Sequence, residues 1–204
     1  ALPIFPSVLT WHEGGVELVQ RNRLPDSDRV ELTMNLKKKQ RLILWIRKPD
    51  WADKATLIIN GKAEQLLLGN DGYWMIDKVW NRKNRISLQL PMHTYTENLI
   101  GTGRYVALLY GPYVLAGRMG KENLPSTFWG KMNNTAMNKM DLSKVPVFNI
   151  PATQIPDHVE PVFERGTLRF NIHLKGFENV VLEPFYKIHF ERYAIYWPTA
   201  SSNE

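Results

Sequence analysis

The stretch Val30-Glu31-Leu32-Thr33-Met34-Asn35-Leu36-Lys37 decides the fold, because its side chains alternate strictly between apolar and polar. Successive side chains of a β-strand point to opposite faces of a sheet, so this period of two predicts a strand with one buried face. The alternation returns in Arg41–Arg47, Ile86–Leu90 and Leu168–Leu174. No stretch sustains the 3.6-residue period of an amphipathic helix. The sequence therefore predicts an all-β protein.

Turn signals separate these strands. Asn60–Gly61 is a strong two-residue hairpin signal, since both turn positions require positive φ. Asn70–Asp71–Gly72 marks a second turn, and Pro49 and Pro91 end strands because proline donates no hydrogen bond to a ladder. Short strands spaced by such turns are typical of an antiparallel sandwich.

The second half of the chain has a different texture. Tyr105–Leu109 is apolar on both faces, which predicts a central buried strand. Residues 117–166 contain five prolines, and we expect long ordered loops there, with one short helical turn near Asn133–Met140. We therefore expect two antiparallel sandwich-like domains, over residues 1–98 and 99–204.

Composition excludes several classes of function. The 204 residues are 44% hydrophobic and carry a net charge of +6, but the basic residues are scattered and form no nucleic-acid-binding motif. The absence of cysteine excludes disulfides and thiolate metal sites. No apolar run reaches the roughly 20 residues of a membrane span. The opening residues lack the features of a signal peptide and are expected to begin a piece of a longer chain.

Short segments along most of the chain fit one known family in their order and spacing. They are Ile4–Trp11, Leu42–Trp51, Ile59–Gly61, Gly72–Ile76, Trp80, Leu88–Met92, Val106–Pro112, Pro184–Tyr186, Arg192–Tyr193 and Tyr196–Trp197. With these segments the chain resembles the region after the catalytic barrel in glycoside hydrolase family 127 and its relatives, the β-L-arabinofuranosidase group. One departure is Asn81–Asn84, where the family tends to carry a Gly-Asp turn; an Asn with left-handed φ would serve there.

The resemblance implies a bacterial-type glycoside hydrolase whose catalytic (α/α)6 barrel precedes these residues. No position matches the family's catalytic acids or cysteines, so no catalytic residue, metal ligand or cofactor is assigned. The expected partners are that barrel, a second copy of the chain in a homodimer, or a polysaccharide. The parent protein is expected in the periplasm or outside the cell, although the sequence leaves the compartment open.

Other constellations have plainer explanations. Asp157, His158 and Glu160 are the one compact group of metal-ligand types, but the flanking prolines favour a surface loop. The remaining acids lie singly or in turns and form no evident catalytic pair of carboxyls. No G-x-S-x-G elbow is present, although a Ser-His-Asp triad stays open. Asn133–Asn134–Thr135 fits a glycosylation acceptor.

Sugar binding is the activity that the chain itself best supports. Trp51, Trp74 and Trp80 lie beside turns, where exposed rings stack on sugars, but tryptophan packed between two sheets is the alternative. Tyr73 and Trp74 are neighbours on a strand and must point to opposite faces, so one of them is expected in the core.

Three hypotheses follow. The first is a structural module that supports the barrel, the second is a carbohydrate-binding module for plant polysaccharide, and the third is a small enzyme or adhesin with a polar pocket of its own. The first predicts exposed apolar residues near Ile4, Phe5 and Trp11, where a helical body would dock.

Overall fold

A computed structural model describes residues 6–23, 27–69, 71–101, 103–121, 145–164 and 167–200, apart from the side chain of residue 164. Throughout these ranges the regular structure is antiparallel strand with two short 3₁₀ helices, which confirms the all-β prediction. No helix of the described part is long and apolar enough to cross a membrane. The chain divides into two compact units, Ala1–Met92 and His93–Glu204.

The described residues of the first unit form nine strands in two sheets. They are β1 (Ser7–Trp11), β2 (Val16–Asn22), β3 (Arg29–Leu36), β4 (Gln40–Arg47), β5 (Thr56–Ile59), β6 (Lys62–Glu64), β7 (Leu67–Leu68), β8 (Tyr73–Trp80) and β9 (Lys83–Gln89). One sheet has the order β1-β2-β3-β9-β5-β6, and the other has the order β4-β8-β7.

The two sheets of the first unit pack face to face around one core. Strand β3 buries every second side chain, as its alternation predicts. Leu32 and Leu88 of the wider sheet and Ile46, Trp74 and Trp80 of the narrower sheet belong to the same buried cluster. This arrangement is the sandwich that the sequence predicts, because each sheet covers the apolar face of the other.

The hairpin predicted at Asn60–Gly61 is confirmed. Asn60 has a φ of 51° and Gly61 a φ of 83°, and Ile59 pairs with Lys62 across the turn. Positive φ at both central residues gives the turn a twist that matches that of the flanking strands. Gly72, in the second predicted turn, also has positive φ, at 78°.

The link from β8 to β9 is held by a buried side chain. Asn84 is 2% exposed; its Oδ1 accepts from the backbone N–H of Asn81 at 3.1 Å, and its Nδ2 donates to the Asn81 carbonyl at 2.6 Å. The same Oδ1 accepts from Nδ2 of Asn60 at 3.3 Å. The expected left-handed asparagine is absent from this link, since Asn60 and Phe190 are the non-glycine residues with positive φ in the described ranges. A buried amide ties down the link instead.

The described residues of the second unit form eight strands in one sheet. They are β10 (Thr94–Asn98), β11 (Tyr105–Tyr110), β12 (Tyr113–Arg118), β13 (Val159–Glu164), β14 (Thr167–Ile172), β15 (Val181–Pro184), β16 (Tyr193–Ala194) and β17 (Tyr196–Pro198). The order is β10-β11-β12-β15-β14-β13, with β16 paired to β12 and β17 paired to β11. Because β10 pairs with β11, its residues belong to this unit and the contacts divide at residue 92, whereas the sequence analysis places the division at 98.

The sheet of the second unit curls around its own core. Leu108, Phe170 and Trp197, from three of its strands, lie in one buried cluster. Phe148 and Phe177 fill the space inside, with ring centroids 4.3 Å apart and nearly parallel planes. Strand β11 has neighbours on both sides, which confirms the central position predicted for Tyr105–Leu109, but Tyr105 is 40% exposed, so the predicted burial of both faces holds only in part.

Part of the region expected as loops is regular. Ala152–His158 forms a 3₁₀ helix, and Val159–Glu164 is the edge strand β13. An edge strand leaves one side of its backbone unpaired, so it tolerates Pro161, which has no N–H to donate. The helical turn expected at Asn133–Met140 and the acceptor Asn133–Thr135 lie outside the described residues.

We expect Asn84→Ala to destabilise the protein by about 2 kcal/mol, because its backbone and side-chain partners lose a buried hydrogen-bonding group. Urea denaturation followed by circular dichroism measures the change. Asn35→Ala is the matched control, since that amide donates to the exposed Glu17 and its loss should cost less than about 0.5 kcal/mol. Equal losses in the two variants would contradict the role given to Asn84.

Candidate functional site

A groove opens where the two sheets of the first unit differ in width. Six strands face three, and the inner side of β1 and β2 meets the free edge of β4. The groove has a volume of about 250 Å³. Its lining consists of Ser7, Val8, Leu9, Leu18, Gln20, Leu32, Leu44, Trp45, Ile46 and Arg47.

The two ends of the groove differ in chemistry. At one end, Nε2 of Gln40 donates to the carbonyl of Gly14 at 2.9 Å and joins β4 to the β1–β2 turn. A β-carbon at residue 14 would lie 2.2 Å from the Trp11 ring, so the close approach of that indole requires glycine. At the other end, the β4 residue Arg47 places a cation beside the apolar walls.

Strand β1 exposes its apolar side chains. Val8 is 63% exposed, Leu9 is 58% exposed and Trp11 is 49% exposed. The exposure expected near Trp11 is therefore confirmed, whereas Ile4 and Phe5 lie outside the described residues. Edge strands with apolar side chains and unpaired backbone groups are surfaces that other elements readily cover.

The outer face of the narrower sheet is also apolar. Trp45, Met75 and Leu67 stand in one cross-strand row, and Ile43 and Val79 flank it. All of these except Met75 are more than 40% exposed.

An ion pair crosses this outer face. Arg41 donates from Nε and Nη2 to the two carboxylate oxygens of Asp77 at 2.8 and 2.7 Å. The side-chain hydrogen bond with Asp77 raises the pKa of Arg41, and the same bond lowers the pKa of Asp77. The pair is exposed to solvent, which screens it.

The three tryptophans predicted to bind sugar do not form an exposed platform. Trp74 is 4% exposed and Trp80 is 1% exposed, both within the core cluster. The indole Nε1 of Trp80 donates to the Leu42 carbonyl at 2.9 Å, which orients the ring inside the sandwich. Trp51 is partly buried against the same cluster. Neither Trp74 nor Trp80 leaves a ring face for a ligand in solution.

The acidic residues singled out in the sequence are dispersed. Asp157 and His158 end the first 3₁₀ helix, and Glu160 lies 3.1 Å from Nε2 of His173, whose side chain is exposed. Across the described ranges, no group of three or more His, Asp or Glu side chains is close enough to hold a metal ion.

The structure brings together one charged cluster that the sequence analysis missed. Arg118 donates from Nη2 to Glu183 at 2.7 Å and from Nη1 to Glu191 at 2.6 Å. Arg169 donates from Nε to the other oxygen of Glu183 at 3.0 Å. The Glu183 and Glu191 side chains are almost fully buried, while the two arginines are about half exposed.

This cluster neutralises its own charges. The pKa of Arg118 is raised, chiefly by its hydrogen bond with Glu183. Two arginines satisfy the oxygens of a buried carboxylate, so the arrangement resembles a structural ion network more than an acid–base pair with a free proton. A signal was present in the sequence, because Glu183 interrupts an apolar strand, but its partners lie 65 and 14 residues away.

Family models match both units. Residues 4–92 match a model described as β-L-arabinofuranosidase, GH127 middle domain. Residues 95–199 match a model described only as a domain of unknown function. Residues 4–92 therefore belong to the middle-domain family of the GH127 β-L-arabinofuranosidases, and the resemblance drawn from the motifs is confirmed. Among curated proteins, none matches the sequence.

Solved structures share the fold. A GH127 β-L-arabinofuranosidase from Geobacillus stearothermophilus T6 is 16% identical, with a TM-score of 0.66 over 96% of this chain and 32% of that one. A glycoside hydrolase gives 15% identity and a TM-score of 0.61, again over 96% of this chain and 34% of its own. A GH127 β-arabinofuranosidase is 14% identical, with a TM-score of 0.56 over 96% of this chain and 33% of that one. The chain thus spans about a third of the length of these proteins.

We expect Glu183→Gln to destabilise the protein by about 2 kcal/mol, because two arginines lose their shared charged acceptor. Urea denaturation measures the loss. Glu160→Gln is the control, since its partner His173 is exposed and an exposed pair contributes little. If Glu160→Gln destabilises the protein as much as Glu183→Gln does, the buried network contributes no more to stability than an exposed pair.

The Arg41–Asp77 pair predicts a pH dependence. A carboxyl with a lowered folded pKa contributes stability fully above its unfolded pKa of about 3.9, and loses that contribution as the pH falls through the folded pKa. The stability difference between the native protein and Asp77→Asn should therefore be constant from pH 7 to pH 5 and shrink below about pH 4. The same comparison in an Arg41→Gln background is the control and should show no shrinkage attributable to the pair.

Proposed function

We propose that this chain is a non-catalytic part of a family 127 glycoside hydrolase and that its first unit stabilises a helical catalytic domain by docking against it. The observation that carries the proposal is the half-covered sandwich: β1 exposes Leu9 and Trp11 on its inner side, beside an apolar groove that Val8 also lines. An exposed apolar surface costs free energy in water, and its burial by a partner stabilises the complex by roughly 25 cal/mol per Å².

The chemistry of the surface fits a helical partner. Helices of globular domains present stripes of aliphatic side chains, which pack into grooves of matching width. Arg47 at the open end of the groove would complement a carboxylate on the partner. The relatives of known structure are about three times as long as this chain, which leaves room in such an enzyme for a catalytic domain.

Three of the described carboxyls are already paired, which fits the non-catalytic part of the proposal. Glu183 and Glu191 are engaged by arginines, and Asp77 is engaged by Arg41. A glycosidase needs one carboxyl with a proton to donate and a second that acts as base or nucleophile. The purified chain should therefore release no nitrophenol from a nitrophenyl β-L-arabinofuranoside, and clear turnover that survives repurification would end the proposal.

Docking is tested with the double variant Val8→Thr/Leu9→Asn, which keeps the size of both exposed side chains and removes their apolar character. Sedimentation velocity measures binding of the chain to the helical domain of a family 127 enzyme from the source organism. We expect the variant to bind at least about tenfold more weakly, because the apolar centre of an interface carries most of its affinity.

Ile100→Asn is the matched control, since Ile100 is the most exposed of the large apolar residues described and lies in the other unit. It should bind as the native chain does. If the native chain instead self-associates and the double variant abolishes that association alone, the surface pairs two copies of the chain and the helical partner is refuted.

A further inference from the structure

An aromatic surface in the second unit is chemically unlike the groove of the first. Five aromatic residues in twelve, Phe185, Tyr186, Phe190, Tyr193 and Tyr196, are each between 36% and 66% exposed. We propose that Phe185, Phe190, Tyr193 and Tyr196, termed the aromatic face, bind a carbohydrate chain by stacking sugar rings on their side chains. The proposal does not depend on docking of a catalytic domain.

Strand register places Tyr193 and Tyr196 on one side of the sheet, whereas Tyr186 packs on Tyr113, whose partner Tyr110 lies on the core side. Arg118 and Glu183 are hydrogen bonded on the side opposite the core, and Tyr193 pairs with Arg118 across β12 and β16. Tyr196 pairs with Ala107, which alternates with the buried core residues Val106 and Leu108. Directly paired antiparallel residues share a face, so Tyr193 and Tyr196 both point away from the core.

Contacts with neighbours hold the rings in place. The Phe185 and Tyr193 centroids are 4.7 Å apart at 55°, and the Tyr113 and Tyr186 centroids are 5.6 Å apart at 50°. The backbone N–H of Arg192 donates to the Gly120 carbonyl at 3.1 Å, which fixes the chain just before β16. Rings held in this way lose little conformational entropy when a ligand stacks on them.

The backbone presents one ring in a costly conformation. Phe190 has a φ of 56° and is 66% exposed. Left-handed φ is unfavourable for a bulky side chain, and residues held there cluster at binding sites. Within the described part of this unit, the Phe190 ring is too exposed for its burial to offset this strain. The uncompensated strain points to a ligand that covers the ring.

The polar surroundings favour a sugar over a protein partner. Lys187, whose Nζ lies 5.9 Å from the Tyr186 centroid, and exposed His189 lie between the rings along the segment. A sugar has one apolar C–H face and a rim of hydroxyls, so it needs planar rings flanked by donors and acceptors. The groove of the first unit, by contrast, is mainly aliphatic, as a protein contact requires.

Affinity electrophoresis of the whole chain tests the proposal, in gels that contain arabinan, arabinogalactan or xylan. We expect at least one polysaccharide to retard the native chain, and Tyr196→Ala to weaken binding about tenfold through loss of a stacked ring. Tyr193→Phe should bind nearly as the native chain does, because the ring remains. Trp45→Ala is the control, since it removes an exposed aromatic residue of the first unit.

Circular dichroism melting curves verify that each variant is folded, and Tyr193→Ala serves as a second variant if Tyr196→Ala is not. No retardation by any of the three polysaccharides would overturn the proposal, as would equal weakening in Trp45→Ala. The native chain could instead bind no polysaccharide, while Tyr196→Ala binds the helical domain more weakly than the native chain does. The aromatic face would then be a protein interface, and this result would also overturn the proposal. Failure of docking at β1 leaves this outcome unaffected, so the two proposals fail separately.

Discussion

The inner face of the six-stranded sheet must be covered, and the facing sheet has only three strands. Strand β3 buries Val30, Leu32 and Met34 against the narrow sheet, where the packing is complete. At β1 the same inner side meets a groove and solvent. The hydrophobic effect is proportional to the apolar area removed from water, so the uncovered margin is a constant driving force for association. The architecture of the first unit thus creates its own docking surface.

Buried polar groups in this chain are placed where the strands change direction or where a face is only partly covered. Asn84 replaces backbone hydrogen bonds at the link between the two sheets of the first unit. Glu183 lies on the outer side of the curled sheet, where Arg118 and Arg169 surround it. Each group would cost free energy if buried alone. Asn84 is satisfied mainly by Asn81, three residues away, whereas the partners of Glu183 lie 65 and 14 residues away. These residues therefore specify the arrangement of strands more than they add net stability.

Two exposed surfaces of different chemistry indicate two classes of contact. The first is aliphatic and lies between sheet edges, and burial of its side chains needs only a complementary apolar shape. The second is aromatic with charged neighbours, and one of its rings, that of Phe190, is held at positive φ. The chain shares its fold with about a third of the length of a family 127 enzyme, so the first surface suits contact with the rest of such an enzyme. The second surface gives the chain a binding chemistry of its own.

Local pattern was sufficient for strands such as β3, β4, β9 and β14 and for the Asn60–Gly61 hairpin, because period-two alternation and positive-φ turns depend on neighbouring residues alone. It failed for β13, where Pro161 suggested a loop and only pairing with β14 makes an edge strand. The aromatic residues show the same division: the sequence marked Trp74 and Trp80 as candidates for exposure, and the packing of two sheets buried them. Burial and long-range charge pairing, such as Arg118 with Glu183, are properties of surfaces that meet only after the chain has folded. The sequence by itself determined which residues alternate and where the chain turns; the tertiary structure alone decided which faces were covered and which remained exposed for a partner.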